Sequence, residues 1–422
     1  MYVKGQIRYM EENFKLIGSP VPNQKQVYFD VGEKHPSLFE SEPWLLFDLI
    51  KIHPENTRTD ARDLVIQGKP GKIVLGEYSR MGERTVLRAD EVRKGSFHTN
   101  ASVGDGCTFH STNNELGRCQ VRNYVTFHGC KVGDDAKIGK RSILDVAAVI
   151  PSGIKVGDCC YVPFEVNQDV PSGTIFLSKD LVVNLPEKAM GLQMDKYHDA
   201  FVEIKSLQPK EHRLNLKDIG YFDPLSFIKK YNLAVNGGIK NTYVGPFALV
   251  DNCGFLGSNV NVQDHNIRIA TNFFGNNIGA HGVYTQNVDL HDGASTLFHA
   301  LLENVVLEEG AVAGPLATIV GSVTEKLVIP RGQFVTGYVT PENYGELMKN
   351  KIVKEDEKII AFMTPVKEVE GLEDRLVHIQ ELHHEEEGHY HKGSNIIAVP
   401  QEVIFNPIKR EQAKSMKKLL GN

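Results

Sequence analysis

The chain has 422 residues, of which 41% are hydrophobic and 24% charged, and its formal net charge is −6. This length is enough for two or three domains, and the composition is ordinary for a soluble globular protein. The negative charge gives no electrostatic case for nucleic-acid binding, and the apolar runs are too short to span a bilayer. The polar first residues lack a signal-peptide core, and the six cysteines form no CxxC pair. We therefore expect reduced thiols and a cytoplasmic location.

Residues 1–65 are predicted to form an N-terminal extension, because their patterning is mixed. The apolar segment PWLLFDLIKI (43–52) is compatible with a short helix or a buried strand. It contains the single tryptophan, Trp44, which we interpret as a packing anchor.

An aliphatic residue recurs at every sixth position in the first half of the chain: Val132, Ile138, Leu144, Ile150, Val156 and Val162. Such hexapeptide repeats are the signature of a left-handed parallel β-helix, in which three six-residue sides make one triangular coil. The spacing of apolar residues after residue 187 predicts an amphipathic helix behind these coils. The fold class is therefore mainly β, and residues 66–207 are predicted to form a first β-helix unit with its helix.

A second β-helix unit with a trailing helix is predicted over residues 241–350, after a polar linker at residues 208–240. Its six-residue series contains Val244, Val250, Leu256 and Val262. VIPRGQFV (328–335) also echoes DVPSGTIF (169–176), which closes the first unit. The echo indicates a tandem duplication of one unit: β-helix, Pro-Gly turn and helix.

The remaining residues, 351–422, lack the six-residue period and are predicted to form a mixed C-terminal tail. The tail contains HHEEEGHYH (383–391), a type of tract that can bind metal, although a solvated surface segment explains its alternating glutamates better. The last residues, IKREQAKSMKKLL, are predicted to form a basic amphipathic helix that docks on the body.

His110 and His128 are the first candidate functional residues, because the sequence separates them by three six-residue sides, the length of one coil. In a regular β-helix, residues separated by one coil lie one above the other, about 4.8 Å apart. Two imidazoles stacked in this way can bind one metal ion.

The segments VLRADE (86–91) and VTFHGCKVGDDAKIG (125–139), together with the spacing from Arg88 to His110, resemble the γ-class carbonic anhydrases. The resemblance covers residues 70–205 and, more loosely, 240–350. It implies a homotrimer of left-handed β-helices with a zinc site between neighbouring subunits. The implied activity is that of a lyase, the reversible hydration of CO₂ to bicarbonate.

In the first half, the resemblance assigns His110 and His128 as two of three metal ligands, while Asn123 stands where the middle histidine belongs. It assigns Arg88 and Asp90 as an intersubunit pair. Glu91, the next residue, matches a position that carries protons away from zinc-bound water.

In the second half, Asn261 and Gln263 match the two side chains that orient zinc-bound water and CO₂ in the family. His281 fits the missing middle histidine, but Gln286 replaces the last one. Each half therefore keeps what the other has lost. We expect a composite site of His110, His128 and His281 for Zn²⁺ or another divalent transition metal, with Asn123 as the fallback third ligand.

Two other functions remain open from the sequence. The loss of one histidine in each half favours a non-catalytic β-helix scaffold. Many hexapeptide-repeat proteins instead transfer acyl groups from coenzyme A with one histidine base, a role that His128 or His281 could fill. Bound zinc in the purified protein would favour the hydratase over both.

Overall fold

The computed structural model describes residues 73–206, 226–233 and 242–370, apart from 77, 89–96, 111–112 and 258–259, together with Leu372 and seven short strands outside these ranges. The strands before the first helix are β1 (Lys25–Val27), β2 (Ile50–Ile52), β3 (Asp60–Ala61), β4 (Leu64–Gly68), β5 (Ile73–Leu75), β6 (Val86–Arg88), β7 (Phe97–Thr99), β8 (Ser102–Val103), β9 (Thr108–Phe109), β10 (Asn114–Leu116), β11 (Gln120–Val121), β12 (Thr126–Phe127), β13 (Lys131–Val132), β14 (Lys137–Ile138), β15 (Ile143–Leu144), β16 (Val149–Ile150), β17 (Lys155–Val156), β18 (Tyr161–Val162), β19 (Thr174–Phe176) and β20 (Val182–Asn184).

The first helix, α1, spans Glu187–Ser206. The strands that follow are β21 (Gly220–Phe222), β22 (Phe227–Leu233), β23 (Thr242–Val244), β24 (Leu249–Phe255), β25 (Val260–Val262), β26 (Ile267–Phe273), β27 (Asn277–Gly279), β28 (Tyr284–Leu290), β29 (Ser295–Thr296), β30 (Leu301–Leu307), β31 (Val312–Ala313), β32 (Thr318–Val320), β33 (Leu327–Ile329), β34 (Gln333–Val339), β35 (Ile352–Glu355), β36 (Lys358–Pro365), β37 (Asn395–Val399) and β38 (Val403–Ile404). The second helix, α2, spans Pro341–Asn350, and a 3₁₀ turn lies at Val366–Glu368.

These strands form a parallel β-solenoid of about 12 turns, built as two left-handed β-helices, and the fold prediction is confirmed. In the first β-helix, one face contains β4, β6, β9, β12, β15 and β18, a second contains β2, β5, β7, β10, β13 and β16, and the third contains β8, β11, β14 and β17. The second β-helix is a 16-stranded sheet. The domain boundaries that the sequence suggested remain predictions.

The core of the first β-helix lies inside its coils, as the six-residue period predicts. None of the six aliphatics in the series is more than 3% exposed. On the first face, Phe109 pairs with Phe127, which pairs in turn with Leu144 on the next coil. The two phenyl rings stack with centroids 4.5 Å apart and planes 2° apart. Such inward stacking places the residues that follow these strands at the corner of each coil, one above the other.

The second β-helix departs from the predicted six-residue series at Leu256, which is 40% exposed. Here Leu249–Phe255 is one continuous strand, and Asn252 inside it has a left-handed backbone with φ 54°. That residue turns the corner within the strand, so that Cys253 and Phe255 point into the core instead.

Successive coils of the second β-helix also differ in length. Asp251 pairs with Ile269, which is the advance expected from three equal sides of six. Ile269 pairs in turn with Gln286, one position sooner than that regular advance would give. The period therefore shifts from one coil to the next, which explains why the sequence series weakens along this unit.

The predicted helix α1 is confirmed, and it packs against both β-helices. Tyr197, Phe201 and Ile204 share one buried cluster with Tyr124 of the first β-helix and Leu249 of the second. Because this cluster mixes both units, α1 fixes how their faces meet.

Two buried histidines connect the β-helices directly. His265 accepts a hydrogen bond at Nδ1 from Thr108 Oγ1 (2.9 Å), while its Nε2 donates to the carbonyl of Arg84 (2.8 Å). His299 makes the same two kinds of contact. Its Nε2 lies 2.9 Å from Thr126 Oγ1, and its Nδ1 donates to the carbonyl of Arg141. Each ring therefore joins a hydroxyl and a carbonyl of the first β-helix to the second.

Arg141 completes the same interface from the first β-helix, with its side chain fully buried. Its carbonyl accepts from Nδ1 of His299 at 2.7 Å, and its guanidinium donates to the carbonyl of Gly282 at 3.2 Å. Gln193 of α1 accepts two further bonds from it, at 2.8 and 3.1 Å. Tyr197 lies beneath the guanidinium at 4.0 Å. The interface is thus specified by hydrogen bonds as well as by apolar packing.

Beyond the second helix, which matches the predicted 341–350, β35 and β36 form an antiparallel hairpin against β34. In the N-terminal part of the chain, the segment 43–52, for which the sequence left helix and strand open, ends in β2, which pairs in parallel with β5. Trp44, the histidine-rich tract and the predicted C-terminal helix lie outside the described residues. Neither described helix combines the length and apolar character that a bilayer-spanning helix needs.

Candidate metal centre

His110 and His128 occupy equivalent corners of neighbouring coils. Each follows the last residue of a strand, and those two residues, Phe109 and Phe127, are ladder partners. The backbone N–H of His110 donates to the carbonyl of Phe127 at 2.9 Å. The imidazole centroids are 5.0 Å apart, so the structure places the two rings side by side as their one-coil spacing predicts.

His281 of the second β-helix lies opposite this pair. Its ring centroid is 4.6 Å from that of His110 and 5.6 Å from that of His128. One nitrogen of each histidine can be chosen so that all three atoms lie within 4.8 Å of one another. The composite arrangement of three histidines thus forms within a single chain, across the interface between its two units.

The three histidines are largely shielded from water. His110 is 4% exposed and His281 is fully buried, while 13% of the His128 side chain is exposed. Nε2 of His128 is buried and has no hydrogen-bond partner among the described residues. A buried polar atom without a partner is costly, and it is expected where a ligand completes the site.

Two carboxylates lie close to two of these histidines, and the sequence analysis predicted neither carboxylate. Asp145 Oδ1 is 3.4 Å from Nδ1 of His128, and Asp264 Oδ2 is 3.6 Å from Nδ1 of His281. In the sequence, each aspartate is separated from its histidine by roughly one coil. Searching for acidic residues at this spacing would have found them, because the ladder brings such positions together.

The three side chains suit a divalent transition metal. Zinc binds histidine nitrogen at about 2.0–2.1 Å, which puts ligand atoms of a tetrahedral site about 3.4 Å from each other. Side-chain rotation can close the present separation of up to 4.8 Å. Metal-bound histidines usually donate their second ring N–H to a carboxylate, and His128 and His281 each have a carboxylate oxygen 3.4 and 3.6 Å from Nδ1, respectively.

Asn261 and Gln263 are both buried in the second β-helix, at 0% and 2% exposure. Asn261 pairs with Ile278 on the next coil, and the backbone N–H of Gln263 donates to the carbonyl of Gly279 at 2.9 Å. This register places both residues one coil from the segment that leads into His281. Neither amide atom of Asn261 has a hydrogen-bond partner among the described residues.

The remaining predicted residues of the first half are only partly described. Arg88 ends β6, whose Leu87 pairs with Phe109, so Arg88 lies one coil before His110. Its side chain, and the whole of Asp90 and Glu91, lie outside the described residues. Their predicted roles as intersubunit pair and proton carrier remain predictions.

Asn123 and Gln286, which stand at positions where the family has histidines, form hydrogen bonds with other residues. Asn123 Oδ1 accepts from the backbone N–H of Asp105 at 3.2 Å, and Gln286 Oε1 accepts from the Tyr284 hydroxyl at 2.9 Å. Asn123 thus supports a coil corner, and His281 is the better third ligand. His299, which follows His281 by about one coil, has hydrogen bonds at both ring nitrogens and is not free to bind a metal.

Comparison with known proteins supports the fold but gives no activity. No protein-family description matches the chain, and no curated protein is similar to it in sequence. The crystal structure of a protein titled "putative acetyltransferase", from Desulfovibrio desulfuricans G20, is similar at a TM-score of 0.51 and 14% identity. The match covers 86% of this chain and 90% of that one. At this identity the likeness shows a shared β-solenoid fold.

Proposed function

We propose that the chain is a γ-class carbonic anhydrase-like protein that hydrates CO₂ reversibly at a metal ion held by His110, His128 and His281. The observation that carries the proposal is the convergence of these three imidazoles within 4.8 Å. Nitrogen-donor sites of this type suit zinc better than magnesium or calcium. A zinc ion with three histidine ligands lowers the pKa of bound water to about 7, which supplies hydroxide at neutral pH.

The surrounding residues favour a small, uncharged substrate. His281 is fully buried, so access runs from the side of His128, whose side chain is 13% exposed. Phe298 packs edge-on against the His128 ring, with centroids 4.7 Å apart, and limits the space beside it. Asn261 offers a donor and an acceptor to orient water or CO₂, and Gln263 follows it closely in the sequence. Glu91 is the proposed proton carrier to solvent.

The test combines metal analysis with CO₂ hydration kinetics. Zinc-loaded wild-type protein should contain about one zinc per chain and hydrate CO₂ faster than protein stripped by a chelator. His281→Ala should bind zinc far more weakly and should not accelerate hydration. His291→Ala is the matched control in the same β-helix, because His291 is exposed and lies against Phe274. Zinc binding without hydration in the wild type would contradict the proposed reaction, and no zinc binding would favour the scaffold.

Acyl transfer is the second candidate, favoured by the fold shared with the Desulfovibrio protein and by the carboxylate beside His128. A histidine oriented by a carboxylate can act as a general base on an acceptor hydroxyl or amine. This reaction needs no metal. Acetyl-coenzyme A turnover that survives chelation and is lost in His128→Ala would support acyl transfer over hydration.

The proposal also includes a homotrimeric assembly, a cytoplasmic location and an origin by tandem duplication. The duplication is proposed from the order of β-helix followed by helix, which recurs in both units. A homotrimer should give three times the monomer mass by light scattering at micromolar concentration. A monomer at that concentration would contradict the assembly but not the metal site, because one chain supplies all three histidines.

A further inference from the structure

Three side chains on successive coils of the first β-helix form a buried column. His128, Asp145 and Tyr161 follow or occupy strands β12, β15 and β18, which are neighbours in one sheet. The Tyr161 hydroxyl donates to Asp145 Oδ2 at 2.6 Å. The other carboxylate oxygen, Oδ1, lies 3.4 Å from Nδ1 of His128.

The column fixes the Asp145 carboxylate on more than one side. Oδ1 also accepts the backbone N–H of Val146 at 2.8 Å, and the residue is 1% exposed. Tyr161 is 5% exposed, so its hydroxyl is held away from bulk water. A buried carboxylate that accepts hydrogen bonds at both oxygens has little freedom to rotate.

We propose that Asp145, held by Tyr161, is a positioning residue that keeps His128 in the tautomer with its proton on Nδ1. This inference rests on the proposed metal site. With the proton on Nδ1, the lone pair is on Nε2, the atom of His128 that has no hydrogen-bond partner among the described residues. The chain thus presents Nε2 to the metal before any metal binds, and the carboxylate strengthens the donor.

Asp145→Asn is the direct test, since it keeps the shape but removes the charge. Competition titration against a chromophoric zinc chelator should show affinity reduced about 10- to 100-fold. Tyr161→Phe should reduce affinity by less, because the carboxylate remains. Asp135→Asn is the matched control, since that side chain is 72% exposed in the same β-helix, and its zinc affinity should equal that of the wild type.

A double-mutant cycle separates positioning from general support of the fold. In a His128→Ala background, Asp145→Asn should cause little further loss of zinc affinity, because the ligand that it positions is gone. Equal losses with and without His128 would overturn the inference. So would an unchanged zinc affinity in Asp145→Asn when the wild type binds zinc. A wild type that binds no zinc would overturn the proposed function itself, and the inference with it.

Discussion

Histidines of this chain have different roles according to what their two ring nitrogens contact. His299 bonds Thr126 through one nitrogen and a carbonyl through the other, so it is a structural link between the β-helices. His128 has a carboxylate near one nitrogen and no hydrogen-bond partner among the described residues at the other. The one-coil spacing identified His128 from the sequence, but it could not reveal partners that come from the opposite unit.

The stability of the protein should depend on His299 below neutral pH. Burial, followed by the charge of Arg141, holds the pKa of His299 well below its ordinary 6.5, so the folded ring is neutral. The unfolded chain takes up a proton below about pH 6.5, and the folded chain does not. His299 therefore contributes its full stabilisation above about pH 6.5. Acidification to pH 5.5 removes about 1.4 kcal/mol of the free energy of unfolding.

Urea unfolding at pH 7.5 and pH 5.5 measures this contribution. The wild type should lose more free energy of unfolding between the two pH values than His299→Gln, which carries no titratable ring. At pH 7.5 the variant should itself be less stable by about 2 kcal/mol, because two buried hydrogen bonds are replaced imperfectly. An identical pH dependence in the two proteins would show that another group is responsible.

At the scale of elements, regular spacing made the first β-helix predictable, while a local backbone turn limited prediction of the second. A six-residue period follows from three equal sides and needs no knowledge of contacts. It fails at Leu256 because Asn252 bends the strand at a left-handed residue, which shifts the next inward position to Phe255. Asparagine tolerates this conformation, but its presence alone does not mark a corner.

Two neighbouring substitutions distinguish this structure from a uniform six-residue repeat. Phe255 is fully buried and stacks on Phe273 with ring centroids 5.1 Å apart. Phe255→Ala should cost about 3–5 kcal/mol of unfolding free energy. Leu256→Ala should cost less than about 1 kcal/mol, because 40% of that residue is already in water. Thermal and urea denaturation of both variants will compare them, and a larger loss in Leu256→Ala would place it in the core.

At the scale of the whole molecule, one chain brings together residues that lie far apart in the sequence. His110 and His281 meet because α1 and the buried polar contacts of Arg141 hold the two β-helices face to face. The sequence indicated which histidines each half retained. It did not show that the two halves abut, because that depends on the packing of α1 against both units.

A site contained in one chain predicts that zinc binding does not depend on protein concentration. Dialysis of the protein against buffered zinc, from well above to well below micromolar protein, should give about one zinc per chain throughout. A site shared between subunits would instead lose zinc on dilution as the subunits separate. Loss of stoichiometry on dilution would therefore place at least one ligand in another copy.

The central claim, one metal held by three histidines from both β-helices, is tested most directly by X-ray absorption at the zinc edge. Zinc-loaded wild type should show three imidazole nitrogens at about 2.0 Å, and His281→Ala should show two or fail to retain zinc. The same imidazole count in the wild type and in His281→Ala would contradict the claim, because the zinc would then be bound elsewhere in the chain.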